Sequence, residues 1–126
     1  MKNKIAFEWF ERGKRDFETA ELIFNHRGHY NEVIFLLHQA IEKYLKGYLV
    51  LHNWKLRKIH DIETLLVEAE KYNKSFVKFI DFGRKLTAFY YDDRYPPGPP
   101  SEVKKEEAGE MLNHAKEIIN MITEGT

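Results

Sequence analysis

Residues 33–51 read VIFLLHQAIEKYLKGYLVL. At about 100° per residue, Val33, Ile34, Leu37, Ala40, Ile41, Tyr44, Leu45, Tyr48, Leu49 and Leu51 sweep well over half of a helix circumference, while Gln39, Glu42, Lys43 and Lys46 crowd into roughly a third of it. A helix this apolar is buried on most of its sides. The charges it keeps need a partner, a wet cleft or a subunit seam, because burying them unpaired costs several kcal/mol.

The flanking segments supply what would cover it. Residues 4–26 place Ala6, Phe10, Gly13, Phe17, Ala20 and Phe24 at three- and four-residue spacing, the seam of an amphipathic helix, and Gly13 on that seam lets a neighbour approach closely. Gly28 suits the left-handed residue beyond a helix end, so the oily helix is expected over residues 30–52. Residues 53–58 form a basic connector carrying Trp54. Asp61 then caps a short third helix through Ile62, Leu65, Leu66 and Ala69, with Glu63 favourable in its first turn. Asn73 or Ser75 opens a fourth helix, whose face is Phe76, Phe79, Ile80, Gly83, Leu86, Thr87 and Tyr90. Residues 92–100 hold four prolines and are expected to be an extended, stiff loop rather than helix. Ser101 caps a last helix with Val103, Ala108, Met111, Leu112, Ala115, Ile118, Ile119 and Ile122 on one face. No segment alternates like a strand. The expectation is one all-α domain over residues 1–126, an up-and-down bundle of four long helices plus one short helix.

A chain of 126 residues buries roughly two-thirds of the surface its unfolded form exposes, enough for a single core. It has no cysteine, which excludes disulfides and thiolate chemistry and fits a reducing cytoplasm. Lysine plus arginine equals aspartate plus glutamate at 20 each, so no global field draws the protein to nucleic acid or anionic lipid. Anion binding must be local. The start runs into charged residues with no apolar signal core, and no long apolar run follows, so a soluble, cytoplasmic protein without membrane contact is expected.

Local clusters carry what chemistry there is. In the stripe Gln39, Glu42, Lys43 and Lys46, a Glu42–Lys46 pair four residues apart steadies the helix by a few tenths of a kcal/mol. The sharper reading is an anion-facing wall, with Lys43 and Lys46 attracting phosphate and Gln39 bonding a base or sugar. At His60-Asp61 the aspartate serves as a cap, and the pair can also hold an anion or share a proton beside free backbone donors. In Arg94-Tyr95-Pro96 the arginine either pairs with Asp92 or Asp93, or is held ready for a bidentate phosphate contact, with Tyr95 available for base stacking. The charged run over residues 102–110 reads as a solvated helix face. His26, His29, His38, His52, His60 and His114 show no ligand spacing, so no metal and no other cofactor is expected.

Taken together, His38-Gln39-Ala40-Ile41-Glu42-Lys43-Tyr44-Leu45-Lys46, then His60-Asp61-Ile62 with Leu65, then Arg94-Tyr95-Pro96 resemble the HEPN domain family over nearly the whole chain. The resemblance implies a bundle of four long helices and a shorter one, commonly dimeric, with a polar cleft at or near the dimer axis. It also implies one of two roles: a nucleotide-binding module that partners a minimal nucleotidyltransferase, or an RNA-cutting toxin of a toxin-antitoxin pair. HEPN ribonucleases carry an arginine followed after four to six residues by a histidine. None of Arg12, Arg15, Arg27, Arg57, Arg84 and Arg94 has one there, and Arg94 meets Pro99, Pro100 and Ser101 at those offsets. The leading expectation is therefore a homodimeric binding module. Its cleft, built from Gln39, Glu42, Lys43 and Lys46 with His60, Asp61, Arg94 and Tyr95, would accept a nucleotide or RNA phosphate or a nucleotidyltransferase, without turnover. The alternative is a metal-independent ribonuclease in which His60 is the general acid or base and Arg94 stabilises the pentavalent phosphate. In a third account the stripe only sets subunit register.

Overall fold

The oily stretch becomes the central helix of the molecule. A computed structural model of the chain describes residues 2–26, 28–55, 57–94 and 102–124, with the side chains of Lys2 and of residues 92–94 outside that description. Among the described residues there are five α-helices and no strand: α1 (Lys2–His26), α2 (Tyr30–Leu51), α3 (Ile62–Glu70), α4 (Ile80–Arg94) and α5 (Lys105–Glu124), with a 3-10 turn over Lys74–Phe79 ahead of α4. Helix α2 touches each of the other four. It buries Val33, Ile34, Leu37, Ala40, Ile41, Tyr44, Leu45, Tyr48, Leu49 and Val50, so its apolar sweep is the floor of the whole core.

Two glycines set how closely α1 lies on α2. A Cβ on Gly13 would fall 2.7 Å from Tyr44 Cδ2, and one on Gly47 would fall 2.6 Å from Phe10 Cε1 and 2.9 Å from the Ala6 carbonyl oxygen. Each helix thus offers a notch that the other's aromatic ring fills, in antiparallel register. Helix α4 is also antiparallel to α2, since Thr87 meets His38 while Tyr90 stacks on Phe35 with ring centroids 5.4 Å apart. The start of α5 is tied to the start of α2, where the Val103 N–H donates to Asn31 Oδ1 at 3.1 Å. Its far end, at Thr123, borders Phe10 and Tyr44. Hence α1 and α4 run one way and α2 and α5 the other, the expected up-and-down order.

The ends of the helices follow local chemistry. Gly28 sits at φ +68° and its N–H reaches back to the Ile23 carbonyl at 3.2 Å, closing α1. Asp61 caps α3, accepting from the Glu63 N–H at 3.3 Å and the Thr64 hydroxyl at 2.7 Å. Asn73 accepts from the Ser75 N–H at 3.0 Å, but the turn it opens is 3-10 and becomes α-helical only at Ile80.

Two boundaries correct the sequence reading. Helix α4 runs on through Asp92 and Asp93 to Arg94, inside the stretch expected to be loop from residue 92. Pro96 constrains chiefly the residue before it, leaving residues 92–94 free to continue the helix. Helix α5 opens at Lys105, so Ser101 is not its N-cap; the Lys104 N–H donates to Glu107 Oε1 at 3.0 Å, an acidic side chain reaching back from the third helical position. Tyr95, the four prolines and Ser101 lie outside the described residues.

Candidate functional site

His38, Glu42 and Lys46 stand four residues apart and therefore line one edge of α2. They are the buried polar side chains among the described residues, at 0%, 8% and 4% exposure. The Glu42 carboxylate is their hub. Its Oε2 accepts from Lys46 Nζ at 2.9 Å and lies 2.8 Å from His60 Nδ1, while its Oε1 is 3.9 Å from His38 Nδ1. A carboxylate this enclosed is tolerated because a cation and two imidazoles surround it.

Each partner is placed by a different element. His38 is held from α4, stacked on Tyr90 at a centroid distance of 4.0 Å and 14° between planes, with Thr87 Oγ1 3.4 Å from its Nε2. Lys46 points toward α1, where its Nζ lies 5.7 Å from the centroid of the Trp9 ring. His60 arrives from the connector: Asp61 fixes the start of α3, and the residue before that cap is delivered to Glu42. The His60 side chain is 61% exposed, so the cluster opens to solvent through it. An ionised carboxylate only accepts, so Nδ1 carries the proton and Nε2 is the ring nitrogen that Glu42 leaves open to other partners. Lys55, Arg57 and Lys58 of the same connector are exposed.

The predicted stripe divides. Glu42 and Lys46 join His60, whereas Lys43 turns to α1 and makes an ion pair with Asp16; Gln39 is half-buried between the two directions. Both lysine charges are thus countered inside the chain, and the exposed positive charge beside the cluster is that of the connector. Tyr44, on the α1 side, has its phenol pushed above the usual tyrosine range by burial and then by Glu18 and Glu11. Asp61 is engaged as a helix cap. The backbone of Arg94 lies seven residues past Thr87, roughly 10 Å along α4 from the level of His38. Because α4 is antiparallel to α2, that displacement runs toward Phe35 and away from Lys46. The Arg94 side chain and Tyr95 lie outside the described residues.

His38 and Trp9 are members of the cluster that sequence reasoning did not assign to it. The spacing His38-x3-Glu42-x3-Lys46 was a readable signal for the first; nothing in the pattern of α1 singled out Trp9. Among the described residues no group of three or more His, Cys, Asp or Glu side chains is arranged to hold a metal ion, and no helix is long and apolar enough to cross a membrane.

The site as a whole is a buried carboxylate-lysine pair on the central helix of a five-helix bundle. A family model for the HEPN domain matches residues 6–125. The chain belongs to the HEPN domain family. Two solved structures share the fold along nearly its whole length. TT1696 from Thermus thermophilus superposes with a TM-score of 0.81 at 25% identity, covering 96% of this chain and 98% of its own. ST0689, described as an archaeal HEPN homologue, superposes with a TM-score of 0.74 at 25% identity, covering 95% and 96%. No curated protein matches the chain.

Proposed function

We propose that this HEPN domain is a cytoplasmic binding module that receives the phosphate of a nucleotide or of RNA at the His60 mouth of the buried Glu42–Lys46 pair, with no turnover of its own. The observation that carries it is the Glu42–His60 contact at 2.8 Å on an imidazole that is otherwise exposed. That contact steadies the ring, so less freedom is lost when Nε2 meets a ligand. It also sets a negative countercharge at the Nδ1 edge of the ring. Lys55, Arg57 and Lys58 then supply the local attraction that the neutral chain as a whole lacks. In this reading the module works as a homodimer, and a minimal nucleotidyltransferase is its protein partner.

Isothermal titration of the purified protein with ATP and with a short single-stranded RNA tests it. Saturable binding is expected, weakening as salt rises and weakening further in His60→Ala and in the triple variant Lys55→Ala, Arg57→Ala, Lys58→Ala. No saturable binding of either probe would leave the phosphate reading without support.

One observation favours a second reading. A histidine oriented by a buried carboxylate, with its other nitrogen turned away from that carboxylate, is also the geometry of a general acid or base. A metal-independent ribonuclease built on His60 would cleave RNA in the presence of a chelator and lose that activity in His60→Ala. It would have to recruit a phosphate-stabilising cation other than the Arg-x4-6-His arginine, which the sequence lacks.

A further inference from the structure

The two tryptophans of the chain are used differently. Trp54 packs against the apolar core; Trp9 stands outside that core on α1, half-buried, with Lys46 Nζ 5.7 Å from its ring centroid. An indole is among the largest apolar surfaces a residue can bury, so leaving one at the edge of a core gives up stabilisation that folding would otherwise gain. Ile5, one helical turn earlier on the same face, is 45% exposed, so this side of α1 is open to solvent. Trp9 is also joined to the mouth described above by three consecutive contacts: its ring to Lys46, Lys46 to Glu42, and Glu42 to His60. The aromatic ring and the exposed imidazole with its basic connector are thereby linked through the buried ion pair.

We propose that Trp9 is a stacking platform for the nucleobase of the ligand, and that the site consequently selects base-bearing phosphates over phosphates alone. This rests on the phosphate reading of the His60 mouth and adds to it a second contact on a different helix. A planar base stacks on an indole whatever its hydrogen-bonding pattern, so the platform recognises a base without discriminating strongly among bases. The phosphate end of the same ligand lies toward His60 and the connector, and the Lys46 ammonium sits between the two ends.

The experiment compares ATP with tripolyphosphate, the same polyanion without a base, on the wild-type protein, Trp9→Ala and Trp9→Phe. Because Trp9 lies outside the core, the variants are expected to keep the wild-type circular dichroism spectrum. The expected result is that Trp9→Ala weakens ATP roughly tenfold to a hundredfold, leaves tripolyphosphate unchanged, and is largely rescued by Trp9→Phe. Equal effects on both probes, or no effect on either, would overturn the platform while the phosphate reading stood. Binding of neither probe to the wild-type protein would overturn both. A change of sedimentation mass in Trp9→Ala with an unaltered ATP-to-tripolyphosphate ratio would make the indole a subunit contact and end the proposal.

Discussion

Removing the Glu42 carboxylate tests whether the polar cluster is dry. In Glu42→Ala the Lys46 ammonium, whose side chain is 5% exposed, keeps the Trp9 ring but loses its anion. Breaking a buried pair by deleting one partner costs about 3–5 kcal/mol, most of it the penalty of the stranded charge. Lys46→Ala is the milder change: the carboxylate left behind still has His60 at 2.8 Å and His38 at 3.9 Å, so about 1–3 kcal/mol is expected. Replacing both, as Glu42→Ala with Lys46→Ala, removes the stranded charge and should cost less than the two single losses together. Urea unfolding measures all four proteins. With a slope of roughly 1–3 kcal/mol per molar urea, the Glu42→Ala midpoint should fall by about 1 M or more, and the cycle should show that the two single losses do not add. If each single variant costs under about 1 kcal/mol and the double variant is their sum, water already reaches the pair. The picture of an ion pair shielded from water would then be wrong.

Three other outcomes follow from particular contacts. Gly47→Ala places a Cβ 2.9 Å from the backbone oxygen of Ala6 and should destabilise by about 1–3 kcal/mol, whereas Gly109→Ala meets only the Phe24 ring, 3.4 Å away, and should stabilise α5 by up to about 1 kcal/mol, both read from urea midpoints. The Glu63 carboxyl is held below the usual glutamate range by its hydrogen bonds from Arg84, so its contribution is present above the unfolded pKa and lost as pH falls through the folded one; an NMR titration should show the depressed value, and Arg84→Ala should return it to the ordinary range. The Tyr44 phenol is raised by burial and by Glu18 and Glu11, so stability that is full below the unfolded tyrosine pKa declines as pH rises toward the folded value. Tyr44→Phe should flatten that alkaline decline in a series of thermal melts.

The bundle was largely legible because helical period alone separates core from surface along α1, α2 and α5. Gly28 and Asp61 announced their boundaries through chemistry that acts over a few residues. The misjudged boundaries are those where proline and serine were given more reach than they have: α4 runs on to Arg94 ahead of Pro96, and α5 is capped by Glu107 from inside the helix. The site was legible in part. One helix shows which side chains share an edge, so Glu42 with Lys46 was visible. It does not show what faces that edge. His60 comes from eighteen residues further on, Trp9 from a helix packed antiparallel, and Asp16 draws Lys43 out of the group. Those meetings depend on how α1 and the connector dock, which is a property of the assembled bundle.

The interlocked notches of α1 and α2 bear on how this domain can respond to whatever it binds. With Phe10 seated over Gly47 and Tyr44 over Gly13, sliding either rod along the other would drive a ring into backbone. Trp9 and Lys46, one on each rod, therefore travel as a single rigid body. The segment bearing Lys55, Arg57, Lys58 and His60 is tied to that body through the Glu42–His60 contact at 2.8 Å.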